Sequence, residues 1–131
     1  MDFSFTEEHR LLEQSVREWG AREVAPRIKD LDRQHRFDPD ILPQMAGLGL
    51  LGICVPAKYG GAGMDYISLG LASEELEYVD TSLRVIMSVH AGLNCLSLLA
   101  WGTEAQKQQY LVPQAQGAKI ATFGLTEPAA G

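Results

Sequence analysis

An all-α bundle of about five helices with a short extended C-terminal tail is the fold that the sequence predicts, on three observations. Apolar residues recur at helical spacing through most of the chain, capping residues open successive runs, and only 120–125 reads as extended. The 131 residues are enough for one domain with a core, and 46% hydrophobic content fits a globular chain.

Thr6 caps the first helix, with Glu7 and Glu8 at the positive end of its dipole. Leu12, Val16 and Trp19 form its apolar stripe, while Glu13 with Arg17 and Glu18 with Arg22 are acid-before-base pairs four apart. Pro26 interrupts the run, and a second short helical piece passes through Ile28 and Leu31. Asp38 before Pro39 reads as an N-cap with proline at the first helical position. That helix carries Leu42, Met45 and Ala46 inward and frays at Gly47 and Gly49. The apolar run from Leu50 to Val55 leads through Pro56 into Lys58-Tyr59-Gly60-Gly61-Ala62-Gly63, too rich in glycine for regular structure. The next helix begins near Asp65 and runs to about Val79. Asp80, Thr81 and Ser82 offer caps for a long helix that ends at Gly102. Thr103 and Gln106 match a capping box for the last helix, which Pro113 closes.

Charge and cysteine usage narrow the class. The formal charge is −6, and Arg22, Arg27, Lys29, Arg33 and Arg36 are interleaved with Glu23, Asp30 and Asp32. That pattern is a solvated mixed-charge face, so nucleic acid is not an expected partner. Cys54 and Cys95 read as free, buried thiols in a reducing compartment, and the N-terminus lacks the pattern of a signal peptide. The expected location is cytoplasmic. No formal charge lies between Arg84 and Glu104, a stretch of about 19 residues and just enough to span a bilayer. Ser88, His90, Gly92, Asn94 and Ser97 make it polar for that purpose, so a buried helix rather than a membrane span is expected.

No self-contained active site stands out. Glu74, Glu75 and Glu77 read as an exposed helix face, and His9, His35 and His90 are scattered as surface or packed residues, with no metal site expected. A dinucleotide fingerprint is missing, the glycine run lacks the Lys-Ser/Thr of a phosphate loop, and neither cysteine has a base nearby in sequence.

Four segments, in order and with natural spacing, take the reading further. They are Pro56 with Tyr59-Gly60-Gly61-Ala62-Gly63, Met87-Ser88-Val89-His90, the run from Gly102 to Leu111, and Phe123-Gly124-Leu125-Thr126-Glu127-Pro128-Ala129-Ala130-Gly131. Together they resemble the N-terminal helical domain of the acyl-CoA dehydrogenase family, and the last resembles its flavin-binding signature, cut before an expected Ser-Asp. A turn of this composition suits a flavin for physical reasons. The polar pyrimidine edge of the ring needs hydrogen bonds once water is excluded, and backbone amides beside small residues supply them. Donors there also stabilise negative charge on the reduced ring.

The resemblance implies FAD as cofactor, with Phe123, Leu125, Thr126 and Gly131 as its contacts. Glu127 is expected to fix the turn rather than act as a base. The face of Ile86, Val89, His90 and Leu93 would line the acyl pocket. Arg84, with Glu77, corresponds to the place of an arginine associated with a distal carboxylate in the glutaryl-CoA branch, whereas Val85 to Val89 looks equally like the short-chain branch. The implied reaction is α,β-dehydrogenation of an acyl-CoA thioester, with electrons passing to an electron-transfer flavoprotein. The implied catalytic base lies in a C-terminal helical domain, and the complete enzyme is expected to be a homotetramer. On this reading residues 1–131 are the N-terminal domain, 120–131 lead into a middle β domain, and the chain alone is inactive. Two alternatives stay open: an acyl-CoA oxidase or flavin monooxygenase of the same fold, and a non-catalytic helical module that binds a partner.

Overall fold

The computed structural model describes residues 4–130 and is all-helical, with no strand among the described residues. Five helices follow one another. Helix α1 covers 7–33, α2 is Ile41–Gly47, α3 is Tyr66–Val79, α4 is Thr81–Trp101, and α5 covers 104–115. The main core lies where α1, α3 and α4 pack on α2 and the turn Leu50–Gly52, around Val16, Trp19, Met45, Leu51, Leu76 and Met87. A smaller cluster of Val55, Tyr59, Cys95, Leu111 and Ala115 seats α5.

The capping signals are realised with local chemistry. Thr6 Oγ1 accepts the His9 amide, and His9 Nδ1 accepts the Thr6 amide, so a histidine completes the capping box of α1. The same ring donates from Nε2 to the Asp65 carboxylate at 3.1 Å, and Asp65 caps α3 by accepting from Ser68. His9 thereby ties the first turns of two helices together. The Ser68 amide, helped by the Ser68 hydroxyl and His9, holds the Asp65 carboxyl below its usual range. Thr103 and Gln106 form the expected box on α5.

Both prolines expected to end helices lie inside them instead. Glu7–Trp19 passes through a π-helical turn, Gly20–Val24, into Ala25–Arg33, which contains Pro26. In α5 the π-helical turn Lys107–Leu111 immediately precedes Val112–Ala115, which contains Pro113. In each case the residue before the proline donates to a carbonyl five back: Ala25 to Gly20, and Val112 to Lys107. A proline lacks the amide hydrogen and presses on the carbonyl four residues earlier. One widened turn shifts that carbonyl and removes the conflict, so the helix continues. The same shift breaks the anticipated Glu18–Arg22 pair: Arg22 bonds Glu23, and Glu18 accepts from Gln14.

Other differences are local. Helix α2 starts at Ile41 with Asp40 at its N-cap, while Asp38 accepts the Asp40 amide and pairs with Arg27. Glu75 is buried rather than exposed, because both its oxygens are held by Arg17, at 3.0 and 2.6 Å. Arg17 also keeps the expected bond to Glu13. Cys54 is only half-buried, whereas Cys95 is fully buried and its thiol is pushed up to about 12 by burial.

The glycine-rich connection is more ordered than its composition suggests. It opens with the 3-10 turn Ala57–Tyr59 and folds back on the preceding turn, where Ala62, Gly63 and Met64 donate to Gly52, Val55 and Ile53. Helix α4, 21 residues, is long and apolar enough to cross a membrane by length and composition. Here Leu83, Met87, His90, Ala91 and Cys95 along it are buried in the bundle.

Candidate functional site

Beyond α5 the chain turns at Gly117, which has φ 73° and whose added Cβ would lie 2.4 Å from that of Ala46. It then passes along α4. This stretch of α4 is itself π-helical, Ser88–Cys95, and presents two polar side chains one turn apart toward the tail. Ala121 donates its amide to His90 Nδ1 at 3.0 Å, and Asn94 Nδ2 donates to the Thr122 carbonyl at 3.4 Å. Asn94 also donates to the carbonyl of Val89, five residues back. The tail thus leaves the bundle on a polar seam.

Past the seam lies a wide, open groove of about 530 Å³ between α4, the start of α5 and the tail. Leu93, Leu98, Trp101, Tyr110 and Phe123 supply its apolar lining, and Asn94, Ser97 and Gln106 its polar spots. Among the described residues no carboxylate lines it. Trp101 is 88% exposed, Phe123 58% and Leu93 48%, so the groove concentrates large apolar groups in contact with solvent.

The expected site residues divide among three places. Phe123 and Leu93, one read as a cofactor contact and one as an acyl contact, meet on this groove. Leu125 and Thr126 follow on the exposed tail, just before a turn in which Glu127 and Ala130 bond each other's backbone. Among the described residues the amides of Phe123, Gly124, Leu125 and Thr126 have no hydrogen-bond partner. Four consecutive exposed donors are therefore available beside an apolar wall. Gly131 lies outside the described residues.

The second place is the interior. His90 does not share an open face with Ile86, Val89 and Leu93: it is fully buried, its Nε2 donates to the Gln114 carbonyl at 3.0 Å, and its Nδ1 is taken by Ala121. Burial lowers its pKa, against a smaller opposing effect of the Gln114 bond. Ile86 is half-buried and packs against the core, and Val89 is half-buried. The mean helical spacing put the four on one stripe, but the π-helical turns rotate that stripe partway into the bundle.

The third place is the start of α4. Arg84 Nε donates to Glu77 Oε2 at 2.6 Å, and Thr81 donates to Glu77 Oε1 at 2.9 Å. Arg84 and then Thr81 hold the Glu77 carboxyl below its usual range. Arg84 precedes Leu93 by nine residues, roughly 13 Å along a helix. Sequence reasoning missed Trp101, Tyr110 and Asn94 as neighbours of the candidate site. The signal available was a tryptophan at a helix end in an otherwise apolar run, which reads as core until its exposure is known.

Comparison with known proteins fits this geometry. Residues 6–118 match the family described as acyl-CoA dehydrogenase, N-terminal domain. The chain is 46% identical to a short-chain-specific acyl-CoA dehydrogenase of Clostridium acetobutylicum, covering all of this chain and 35% of that protein. It is 39% identical to the mitochondrial short-chain-specific enzyme of Mus musculus, covering 95% and 30%. Among solved structures, butyryl-CoA dehydrogenase from Megasphaera elsdenii superposes with a TM-score of 0.94 at 34% identity, over all of this chain and 35% of that one. A glutaryl-CoA dehydrogenase from Mycobacterium smegmatis in complex with FADH2 gives 0.90 at 31%, covering 97% and 33%. The chain spans about a third of the length of the relatives it matches.

Proposed function

Because the chain belongs to the acyl-CoA dehydrogenase family, through its N-terminal helical domain, we propose that it forms one wall of a flavin and acyl-CoA site in an enzyme that introduces an α,β double bond into acyl thioesters. The observation that carries this reading is the run of four amides, Phe123 to Thr126, that have no partner among the described residues and lie beside the apolar groove. FAD, when bound, would supply the hydride-accepting chemistry and would be held on this side by the tail residues Phe123, Leu125 and Thr126. This chain's residues do the rest of what lies on its side of the site. The amides of 123–126 and the Thr126 hydroxyl meet the polar edge of the ring, and Leu125 extends the apolar cover on the same tail. Small residues Ala129 and Ala130 let the main chain approach closely. Phe123, Trp101 and Leu93 exclude water from the neighbouring space, with Val89 and Ile86 on the same helix toward the acyl chain.

Among the described residues the groove carries no acidic side chain, and we place the base that takes the α-proton outside this chain, together with the β domain that closes the cofactor site. Residues 120–131 lead into that domain. The electron acceptor on this reading is an electron-transfer flavoprotein, and the assembled enzyme is a homotetramer.

The substrate on this reading is a short, unsubstituted acyl chain. The relatives named above include short-chain and butyryl-CoA enzymes, and the Arg84 guanidinium is already engaged by Glu77. A distal carboxylate would have to compete with that partner.

The test is a chimera in which residues 1–131 replace the matching third of the Clostridium acetobutylicum relative. It is expected to purify with the visible absorbance of flavin and to bleach on addition of butyryl-CoA, while residues 1–131 alone do neither. A folded chimera without flavin, or stoichiometric FAD on the isolated chain, would overturn the reading. Within the chimera, Arg84→Met is expected to change kcat/KM for butyryl-CoA by less than about threefold, since exposed ion pairs contribute little. If instead glutaryl-CoA is turned over and that activity falls about a hundredfold in Arg84→Met, the short-chain assignment is wrong and Arg84 holds the distal acid.

A further inference from the structure

We propose that His90 is a positioning residue, which as the neutral Nε2–H tautomer bridges the Gln114 carbonyl and the Ala121 amide and so sets where the donor run 123–126 stands over the groove. The two contacts are 3.0 Å each and the side chain is completely buried. They join two points of the backbone on either side of the Gly117 turn. Nδ1 can accept from Ala121 only if it carries no hydrogen, so the proton sits on Nε2, where it meets a carbonyl. One ring thus reads both the end of α5 and the start of the tail. Its neighbour Asn94 adds the weaker bond to Thr122. Downstream of these two contacts, the bonds between described residues run within the Glu127–Ala130 turn. The seam is therefore what orients Phe123 to Thr126.

The arrangement is also sensitive to protons. A second proton on the ring would convert Nδ1 from acceptor to donor, facing an amide that also donates. The elements packed on this part of α4 bring little competing charge: Leu50–Gly52 and Val112–Ala115 contain no ionisable side chain. On α4 itself, Cys95 remains a thiol, and on the tail Lys119 is exposed, two residues before Ala121. Because burial lowers the pKa of His90 from 6.5, the bridge is fully made above about 6.5 and is lost as pH falls through the lowered value.

Positioning gains its purpose from the flavin reading above, but its test needs no cofactor, so either can fail without the other. The measurement is residue-resolved amide exchange and imidazole nitrogen NMR on the 131-residue chain. In His90→Asn the side-chain oxygen falls near the place of Nδ1 and keeps an acceptor for Ala121. In His90→Gln the amide nitrogen reaches toward Gln114, but the acceptor for Ala121 is gone. His90→Phe keeps the volume and loses both. Exchange at Ala121 is expected to rise about five- to tenfold in His90→Gln and His90→Phe, and to stay within about twofold of wild type in His90→Asn. Lowering the pH through the lowered His90 value should loosen Ala121 in the wild type beyond the intrinsic pH effect, and not in His90→Asn. The proposal is overturned if the wild-type ring is the Nδ1–H tautomer at neutral pH. It is equally overturned if all three variants protect Ala121 alike, or if all three lose core and tail protection together, which is the signature of packing alone. Should His90→Phe fail to fold, the other two variants and the tautomer still decide.

Discussion

Replacing Trp19 with alanine is expected to cost about 3–5 kcal/mol of stability, enough to unfold a marginal domain. Trp19 is 5% exposed and ends the Leu12–Val16–Trp19 stripe, immediately before the first π-helical turn. Its Nε1 donates to Gln44 Oε1 at 3.0 Å, which binds α1 to α2 across the core. The truncation therefore opens a cavity at the junction of two helices and strands a polar partner. Trp19→Phe keeps most of the volume and loses the bond, so a loss of about 1–2 kcal/mol is expected. Urea denaturation followed by far-ultraviolet circular dichroism measures both. A loss below about 1 kcal/mol for Trp19→Ala would show that the core does not depend on this residue. The chain has two tryptophans, so Trp101 remains in either variant as a reporter of the exposed groove.

Gly61→Ala is expected to cost about 3 kcal/mol, through a steric rather than a cavity mechanism. A Cβ on Gly61 would lie 2.1 Å from the Val55 carbonyl oxygen and 2.6 Å from that of Gly52. Both are backbone atoms that already accept from Gly63 and Ala62, so neither can swing aside without breaking the folded-back loop. The matched control is Gly70→Ala, in the interior of α3 with nothing within 4 Å of the added methyl. There the expected result is a gain of about 0.5–1 kcal/mol, from reduced chain entropy in a helix. Equal effects of the two substitutions, read as urea midpoints, would sink the steric account.

The number and order of helices were legible because the capping chemistry is local. Thr6, Asp65, Asp80 and Thr103 each accept an amide within their own first turn, and a side chain three or fewer residues away is visible in a linear reading. The prolines were misread because the rule for them assumes an α-helical hydrogen-bond ladder throughout. At Pro26 and Pro113 the ladder changes pitch one turn earlier, and nothing local in residues 20–24 or 107–111 announces that change. Glu75 was misread for a different reason. Its partner Arg17 lies 58 positions away, and helix periodicity records neither distance nor the side from which another helix approaches.

The site was legible in part. Phe123 and Leu93 come from separate segments singled out by resemblance, and the fold brings them to one groove. His90 was singled out as a candidate for the acyl wall, but its surroundings turn it into a link between α5 and the tail. An ideal spacing of 3.6 residues puts His90 on one stripe with Ile86, Val89 and Leu93, whereas Ser88–Cys95 winds more slowly and buries it.

The slow winding of Ser88–Cys95 has a further meaning for how this wall is specified. Were these eight residues to take up ordinary α winding with none removed, each would advance about 100° rather than less, and everything beyond them would turn with the accumulated difference. Leu96–Trp101 would swing to another side of the bundle with every side chain unaltered. The lining is thus encoded in backbone winding as much as in residue kind, and a return of these eight positions to ordinary winding should redraw the recess more than exchanges at Leu98 or Trp101 do.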